Sequence, residues 1–551
     1  MNVRLAIALW LTAATAFAGS QVTATHAALA TASPVATRVG LEVLRKGGNA
    51  VDAAVAVTFA LSAAYPQAQP IGGGGFLLFF DASQKAVWAL DFSEVSPNDL
   101  KREMFKGAIP TGPRAAGVPG TVAGFEALHK RFGTRPWKEL VAPSVALARE
   151  GINVDFALMN ALANEKQTHA IDQHSSTRSL FYPAAAVPTV GTKIPQPELA
   201  ATLDRIAQGG AREFYQGATA RKLVEGIRAA GGLVSFRDLR EYQPVWRAPI
   251  QVNFGGAAIH LVPPPAGGGL VIASALQMLA GYDLPATPFL SADYVHLVAE
   301  TTRRAFIDRT RYAGDPLGIR IPYRELLSAE RAELWRKTID RKRVTPTATL
   351  SSAASESAEL PKTTHFTIVD ADGNMVSATV SLGGDFGSGY IVPGCGFFIN
   401  AALSGFSVDP QGLNREGLGT GAPNLLDSRK RASWSAAPTI VTRDRKAILA
   451  LGTAGGSRIP TTVLQILLGT LVYDQPLAAS IAAARFHQQA LPEEMDYEST
   501  RSPQALIEAL AALGHPMAAR DSIGDVQAIE VRGGKITAIS DPRHGGAGGG
   551  F

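Results

Sequence analysis

The stretch KTTHFTIVD, residues 362–370, follows a segment rich in Ser, Ala and Thr and begins a predicted β-strand. A strand that begins with Thr at such a junction is a place where a chain can cut itself and expose an N-terminal threonine. The freed α-amine of Thr363 would then serve as the base for its own hydroxyl, with no need for a histidine. This interpretation predicts an inactive precursor whose product is a two-chain amide hydrolase.

The same strand is the first half of a predicted hairpin. Asp372 and Gly373 form an Asp-Gly pair, which is a strong turn signal between two strands. A turn centred on that pair places Thr364 opposite Ser381 and Thr363 opposite the residue after it. Directly opposed residues lie about 4.5–5.5 Å apart, within reach of a hydroxyl contact. Ser381 is therefore predicted to be the second hydroxyl beside the new N-terminus.

Composition indicates an ordinary globular protein. The chain has 551 residues, of which 46% are hydrophobic and 18% charged, and its formal net charge is +5. This length is sufficient for a large core. The mild charge and the lack of a basic stripe interleaved with aromatic residues give no support for nucleic-acid binding.

The N-terminus is typical of a secretory signal peptide, predicted for residues 1–18. Arg4 supplies the positive start, residues 5–17 are mostly apolar, and Ala18 ends a small-residue cleavage site. The rest of the sequence has no run of about 18 apolar residues that would predict a membrane span. We therefore expect a secreted or periplasmic protein with no stable membrane insertion.

A glycine-rich turn, GTAGGSR at residues 452–458, joins a predicted strand at 447–452 to a predicted helix at 459–471. Backbone N–H groups at a helix N-terminus can hold the negative charge that develops on a carbonyl oxygen. A plain strand–helix turn and a phosphate loop are the alternatives, but the Gly-Lys-Ser/Thr of a phosphate loop is absent.

Other catalytic classes lack their motifs. The ten histidines are scattered and there are no cysteine pairs, so no metal site is predicted. No Gly-x-Ser-x-Gly elbow indicates a serine hydrolase. The single Cys395 is interpreted as a buried structural residue rather than a catalytic thiol. The glycine run at residues 72–75 is interpreted as close backbone packing rather than a phosphate cradle.

The chain resembles the γ-glutamyltranspeptidase (glutathione hydrolase) family of N-terminal-nucleophile hydrolases, from about residue 25 to the C-terminus. The motifs that carry the resemblance are, in chain order, GGNAVDAA (47–54), IGGGGF (71–76), GVPGTVAGF (117–125), TTHF (363–366), PTIV (438–441), GGSRI (455–459), RFH (485–487) and SDPR (540–543). The resemblance implies a layered α/β fold, the αββα sandwich. It also implies cleavage into a large subunit, residues 19–362, and a small subunit, residues 363–551, that form one intertwined domain.

The resemblance also implies roles for single residues. Thr363 would be both the self-processing and the catalytic nucleophile, and Ser381 would contact its amine through a hydroxyl. Gly455 and Gly456 match the oxyanion hole of the family. No metal or organic cofactor is expected.

The departures from the family fall on the residues that hold the glutamyl head group. Ser93 stands where the family has the arginine that binds the α-carboxylate, and Gly383 stands where it has an asparagine. Ser404-Gly405 replaces a pair of carboxylate residues, one of which binds the α-amine. Trp434-Ser435 replaces a pair of serines. A zwitterionic head group needs a fixed cation and a fixed anion. Their loss predicts poor pairing of both substrate charges in a partly dry pocket, unless Arg102 or Arg114 supplies the cation from a shifted position.

Three hypotheses follow. The first is a self-processing exported enzyme that cleaves γ-glutamyl amides such as glutathione through an acyl-threonine. The second is an acylase of the same family that acts on a non-glutamyl amide, glutaryl-like or aromatic, so that a glutaryl anilide is turned over better than a γ-glutamyl anilide. The third is a catalytically silent scaffold. The retained Thr363, Ser381 and glycine pair favour an enzyme, whose partners are a small-molecule amide and its own two subunits.

Overall fold

The structure is a computed structural model of the uncut chain, and it describes residues 21–167, 171–350, 363–410, 412, 414–418 and 421–551. The predicted signal peptide, residues 1–18, and Lys362 lie outside the described residues. The strands are β1 Gln21–Ala24, β2 Ala28–Thr31, β3 Gly74–Asp81, β4 Ala86–Asp91, β5 Ile152–Asn153, β6 Lys193–Ile194, β7 Val245–Arg247, β8 Ile250–Phe254, β9 Ala257–Leu261, β10 Thr363–Val369, β11 Met375–Ser381, β12 Thr439–Arg443, β13 Lys446–Ala454, β14 Phe486–His487, β15 Met495–Glu498, β16 Met517–Arg520, β17 Asp525–Arg532, β18 Lys535–Ser540 and β19 Ala547–Gly550.

The helices account for most of residues 34–350 and recur in the last third of the chain. They are α1 Pro34–Arg45, α2 Ala50–Ala64, α3 Thr121–Phe132, α4 Trp137–Glu150, α5 Phe156–Gln167, α6 Ser175–Phe181, α7 Pro197–Gln216, α8 Ala218–Ala229, α9 Phe236–Glu241, α10 Gly267–Leu279, α11 Ala292–Tyr312, α12 Tyr323–Leu326, α13 Ala329–Arg336, α14 Thr347–Leu350, α15 Ile459–Leu471, α16 Leu477–Ala482 and α17 Gln504–Ala512. The predicted helix at 459–471 is confirmed as α15. Within the described part of the chain, no helix combines the length and apolar character needed to cross a bilayer.

Two seven-stranded sheets form the centre of the fold, and helices cover both outer faces. The first sheet has the order β19-β2-β10-β11-β3-β4-β7, and the second has the order β1-β18-β17-β13-β12-β9-β8. Side chains along β10 alternate between the two faces of the first sheet. Phe366 and Ile368 point to the outer face and pack in the core formed with α2. A separate core lies between the two sheets. The helices α10 and α15 pack on the second sheet. The predicted αββα sandwich is thereby confirmed.

Both sheets mix strands from before and after residue 363. In the first sheet, β10 lies between β2 and β11, with β3 and β4 beyond β11. In the second sheet, β1, β8 and β9 precede residue 363, whereas β12, β13, β17 and β18 follow it. A cut at that point would leave strands of both pieces hydrogen-bonded within the same sheets.

The predicted register of the β10–β11 hairpin is wrong by one residue. Thr363 lies opposite Ser381, and Thr364 lies opposite Val380. Successive side chains of a strand point to opposite faces of the sheet, so Thr364 is on the other face from the candidate nucleophile. It is fully buried there. The correction pairs the predicted nucleophile directly with the predicted second hydroxyl.

The loop of the hairpin explains the shift. The Asp370 carboxylate accepts the backbone N–H groups of Asp372, at 3.0 Å, and of Asn374, at 2.9 Å. Gly373 has φ 83°, the left-handed conformation that closes a three-residue loop. The loop therefore holds one residue more than the two-residue turn assumed from Asp-Gly alone.

Candidate active site

The candidate nucleophile lies in a row of residues that crosses four strands at one end of the first sheet. Thr363 is the first residue of β10, and its partner Ser381 is the last residue of β11. Ser381 is also opposite Gly74, the first residue of β3. Beyond Gly74, the chain passes Ser93 just after the end of β4. The row therefore gathers residues that are far apart in sequence.

The glycine run before β3 makes this row close enough to act as a site. A Cβ on Gly73 would lie 2.0 Å from the carbonyl oxygen of Ser381, and one on Gly74 would lie 2.9 Å from Cα of Ser93. A Cβ on Gly75 would lie 2.2 Å from a backbone oxygen of β11. Real Cβ atoms do not approach backbone so closely, so these positions require glycine. The interpretation as close backbone packing agrees with this geometry.

Two hydroxyl groups meet at the start of β10. The Thr363 Oγ1 donates to Ser381 Oγ over 3.5 Å, which is a long hydrogen bond. The Ser381 oxygen also accepts the N–H of Gly383 at 2.9 Å. In the uncut chain the nitrogen of Thr363 belongs to a peptide bond and cannot act as a base. The arrangement agrees with the prediction of a nucleophile whose amine is still to be released.

The nearest histidine along β10 does not supply a base. His365 is buried, and this burial lowers the pKa of its imidazole to about 3. Its Nδ1 lies 2.9 Å from the hydroxyl of Thr379. The ring is therefore neutral and occupied by a neighbour at physiological pH, which leaves the α-amine as the candidate base.

The glycine-rich turn follows β13, which faces β10 across the sandwich. A Cβ on Gly452 would meet the ring of His365 at 2.3 Å, two residues along β10 from the nucleophile. Gly455 and Gly456 come directly after β13 and have φ 131° and 56°. Ile459, the first residue of α15, lines the cavity beside the two hydroxyls. The turn and the helix N-terminus thus lie at the same end of the fold as the nucleophile.

The cavity beside the hydroxyls is small, with a volume of about 20 Å³. Such a space holds one water-sized group. Its walls come from β3, β10, β11, the start of α15 and the segment 434–436. Among the described residues that line it, Glu94 and Glu416 carry the only ionisable carboxyl groups, and none is a lysine or arginine.

Ser93, at the position of the expected cation, does not line the cavity. Its hydroxyl donates to Asp91 at 2.6 Å, and the same carboxylate pairs with Arg247 at 2.7 Å. The alternative cations do not replace it. Arg114 donates to the carbonyl of residue 104, and neither it nor Arg102 is among the residues that line the cavity. The described walls of the cavity therefore contain no fixed positive charge.

Trp434 fills the space over two of the substituted positions. Its Cη2 would lie 3.1 Å from a Cβ on Gly383 and 3.0 Å from a Cβ on Gly405. The indole is 8% exposed and lines the cavity. Side chains longer than glycine at either position would compete with the indole for the same volume. The three positions thus form one cluster around the indole.

Ser435 is bound to a carboxyl group that the sequence did not reveal as a site residue. Its hydroxyl donates to Glu416, whose Oε2 also lies 3.6 Å from Nη2 of Arg309. Burial raises the pKa of Glu416, and the charge of Arg309 acts in the opposite direction. Glu416 lies in an irregular segment without a motif, so no sequence signal pointed to it.

Glu94 is the second unforeseen carboxyl group. It is 3% exposed, and its Oε1 has no hydrogen-bond partner within the described protein. Burial, with a smaller effect of Asp91, raises its pKa to about 8, and hydrogen bonds from the backbone of Glu94 and Gly74 act in the opposite direction. A signal was present, because Glu94 directly follows Ser93 in a recognisable motif.

Comparisons with known proteins identify the family. The sequence model of the family described as Gamma-glutamyltranspeptidase matches residues 36–551. The chain belongs to the γ-glutamyltranspeptidase family. Its relatives include the glutathione hydrolase proenzymes of Escherichia coli K12, at 36% identity over 95% of this chain and 91% of the relative, and of Pseudomonas aeruginosa PAO1, at 37% identity over 99% of this chain and 98% of the relative.

A solved relative gives the same result for the fold. The crystal structure of cephalosporin acylase from Bacillus halodurans matches with a TM-score of 0.85 and 27% identity, over 97% of each chain. The predicted membership in the γ-glutamyltranspeptidase family and the prediction of an N-terminal-nucleophile type of hydrolase are both confirmed. The protein is accordingly an enzyme of the γ-glutamyltranspeptidase type.

Two other sequence interpretations, on the cysteine and on metal binding, concern parts of the protein away from the cavity. Cys395 is buried, and that burial raises the pKa of its thiol to about 12, so no reactive thiolate is present at neutral pH. Among the described residues, no group of three or more His, Cys, Asp or Glu side chains is arranged to hold a metal ion.

Proposed function

We propose that this chain is a self-processing amide hydrolase in which Thr363 is the nucleophile and forms an acyl-threonine intermediate. The observation that carries the proposal is the Thr363–Ser381 hydroxyl pair at 3.5 Å, at the first residue of a strand and on the wall of a small cavity. Membership in the γ-glutamyltranspeptidase family supports the same assignment.

In the proposed processing step, Oγ1 of Thr363 attacks the carbonyl carbon of Lys362. The peptide C–N bond breaks, and the threonine nitrogen takes up the hydroxyl proton and becomes the free α-amine. Water then hydrolyses the resulting ester and leaves a carboxylate on Lys362. The products are the large subunit, residues 19–362 in the mature protein, and the small subunit, residues 363–551.

In the proposed catalytic cycle, the hydroxyl of Thr363 attacks the amide carbon of the substrate and gives its proton to the α-amine. An N-terminal amine has a pKa of about 8, so part of it is neutral at physiological pH. The amide C–N bond breaks and the proton passes to the leaving amine. Water attacks the acyl-threonine ester and releases the acid. Ser381 orients the amine, and the N–H groups of Gly455 and Gly456 stabilise the oxyanion.

We further propose that the favoured acyl group is not the zwitterionic glutamyl group. Ser93 donates to Asp91 instead of presenting a cation, and the indole of Trp434 covers Gly383 and Gly405. Ser435 already donates to Glu416. Glutathione hydrolysis is the second candidate, because the two bacterial relatives are named glutathione hydrolase proenzymes.

A denaturing gel with N-terminal sequencing tests the processing proposal. We expect two bands from purified wild-type protein, with the smaller one beginning at Thr363. Thr363→Ala should give one uncut band and no amidase activity, because it removes the attacking oxygen. A wild-type protein that is active while unbroken at this point would contradict the proposal.

Export is part of the proposal and rests on the signal-like residues 1–18. Fractionation of the producing cell should place the mature protein outside the cytoplasm, in the periplasm or the medium. Mass spectrometry should show a large subunit that starts at Gly19. A cytoplasmic protein that retains residues 1–18 would contradict this part.

A further inference from the structure

We infer that the acyl pocket selects an acyl chain whose far end carries an ammonium group and no carboxylate, and that Glu94 binds that ammonium. This inference rests on the proposed amide hydrolysis at Thr363 and specifies its substrate class. It differs from the glutaryl-like alternative, because a glutaryl group carries the opposite charge at the same end.

The first support is the state of the Glu94 carboxyl group. Glu94 is 3% exposed and forms part of the cavity wall, and its Oε1 has no hydrogen-bond partner within the described protein. A buried acceptor without a donor is costly, and more so when the group is charged. An ammonium group brings three donors and one positive charge. Substrate binding would therefore satisfy a group that the protein itself leaves unsatisfied.

The second support is the charge balance around the cavity. The charge of Glu416 is offset by Arg309 at 3.6 Å and by the hydroxyl of Ser435, while the charge of Asp91 is offset by Arg247 at 2.7 Å. Glu94 has no such partner. Burial raises its pKa to about 8, and an ammonium beside it would lower that pKa and stabilise the ionised carboxylate. A substrate carboxylate there would be a buried anion beside carboxyl groups and without a described cation in the wall, which is strongly unfavourable.

The third support is size. The cavity of about 20 Å³ is small, so an unbranched acyl chain that ends in a primary ammonium requires less widening of it than a branched one. The indole of Trp434 closes the wall on the side of Gly383 and Gly405, so a branched head group with two charged substituents meets a filled space. A linear ω-aminoacyl chain has no such branch.

Four p-nitroanilides separate the contributions of the two charges. The γ-glutamyl compound carries both the amine and the carboxylate, the glutaryl compound only the carboxylate, the 4-aminobutyryl compound only the amine, and the butyryl compound neither. We expect kcat/KM for the 4-aminobutyryl compound to exceed that for the glutaryl compound by about 10- to 100-fold, as one charge-assisted contact allows. Enzyme-free rates are subtracted, because the aminobutyryl compound can cyclise.

Two variants assign the effect to one side chain. Glu94→Gln should lower kcat/KM for the 4-aminobutyryl compound by about tenfold or more, mainly through KM, and leave the butyryl compound within about threefold. The exposed Glu330 on α13 provides a matched control, and Glu330→Gln should change none of the four rates. The butyryl substrate shows that the variant is folded and processed.

The outcomes distinguish the inference from the function beneath it. A glutaryl or γ-glutamyl compound that is turned over as well as the 4-aminobutyryl compound would overturn the inference and leave amide hydrolysis standing. A Glu94→Gln variant that lowers all four rates equally would also overturn it, since the residue would then act on folding or chemistry. Cleavage of none of the four by processed wild-type protein would count against the proposed function itself.

Discussion

At the scale of single residues, the size of the side chain at position 434 limits the size of the side chains at positions 383 and 405. The indole lies 3.1 Å from where a Cβ on Gly383 would be, and 3.0 Å from one on Gly405. Because protein interiors are close-packed, an indole and longer neighbouring side chains exclude each other. The glycines at positions 383 and 405 and the tryptophan at position 434 are therefore physically linked.

We expect Gly383→Asn to destabilise the wild-type protein by about 1–3 kcal/mol, since the amide would overpack against Trp434. In a Trp434→Ser background the same change should cost less, with a coupling of at least about 1 kcal/mol. Thermal unfolding of the two single variants and the double variant measures this coupling. Gly256 is the matched control, because it also has positive φ, 72°, and nothing within 4 Å of its Cβ position. Strictly additive costs would contradict the packing argument.

Glu94 predicts a pH dependence of stability. Its pKa is raised from an ordinary value of 4.5 to about 8 by burial, so the folded protein holds a proton that the unfolded chain releases. Below pH 4.5 the carboxyl is neutral in both the folded and the unfolded state, and its burial has the smallest cost. As the pH rises from 4.5 towards 8, the free energy of unfolding falls by up to about 1.4 kcal/mol per pH unit. Nearby charges on Asp91, Glu416 and Arg309 are shared by wild type and variant.

Glu94→Gln cannot ionise, so its stability relative to wild type should increase between pH 5 and pH 8. Chemical denaturation of processed protein at several pH values measures this difference. A constant difference across the range would show that Glu94 titrates with an ordinary pKa.

At the scale of elements, the glycine run before β3 fixes the spacing between Gly74 and the Thr363–Ser381 pair. We expect Gly73→Ala to cost about 1–3 kcal/mol and to abolish self-cleavage, because its Cβ would lie 2.0 Å from the backbone of Ser381. Thermal unfolding and a denaturing gel report the two effects. Gly545→Ala is a suitable control, since nothing lies within 4 Å of that Cβ position. A Gly73→Ala chain that cuts itself normally would contradict the role of this spacing.

The elements also show what the sequence could and could not predict. Periodicity and turn residues were sufficient for α15 and for both strands of the hairpin, because these signals are local. The register was missed because the side chain of Asp370 shapes the loop, which the Asp-Gly pair does not encode. Glu94 and Glu416 were missed because their burial depends on strands and segments brought together from distant parts of the chain.

At the scale of the whole molecule, a cut before Thr363 would not separate the two pieces. Residues 366–369 of β10 pair with β2, from the proposed large subunit, while β11 pairs with β3 from the same piece. These ladders and the shared cores would have to be broken before either piece could leave.

We therefore expect processed protein to elute from a sizing column as one species at the volume of the uncut Thr363→Ala protein. It should also unfold in a single transition, because neither piece has a complete sheet of its own. Fragments that separate without denaturant would contradict this prediction.

The position of Trp434 has a practical consequence for chemical labelling. Glutamine-like electrophiles depend on a pocket that receives both charges of an amino acid, and in this protein the indole occupies part of that volume. Such reagents should therefore react slowly with the proposed nucleophile Thr363. A reactive ketone or ester on a short, unbranched aminoalkyl chain is the better starting point for an activity-based probe.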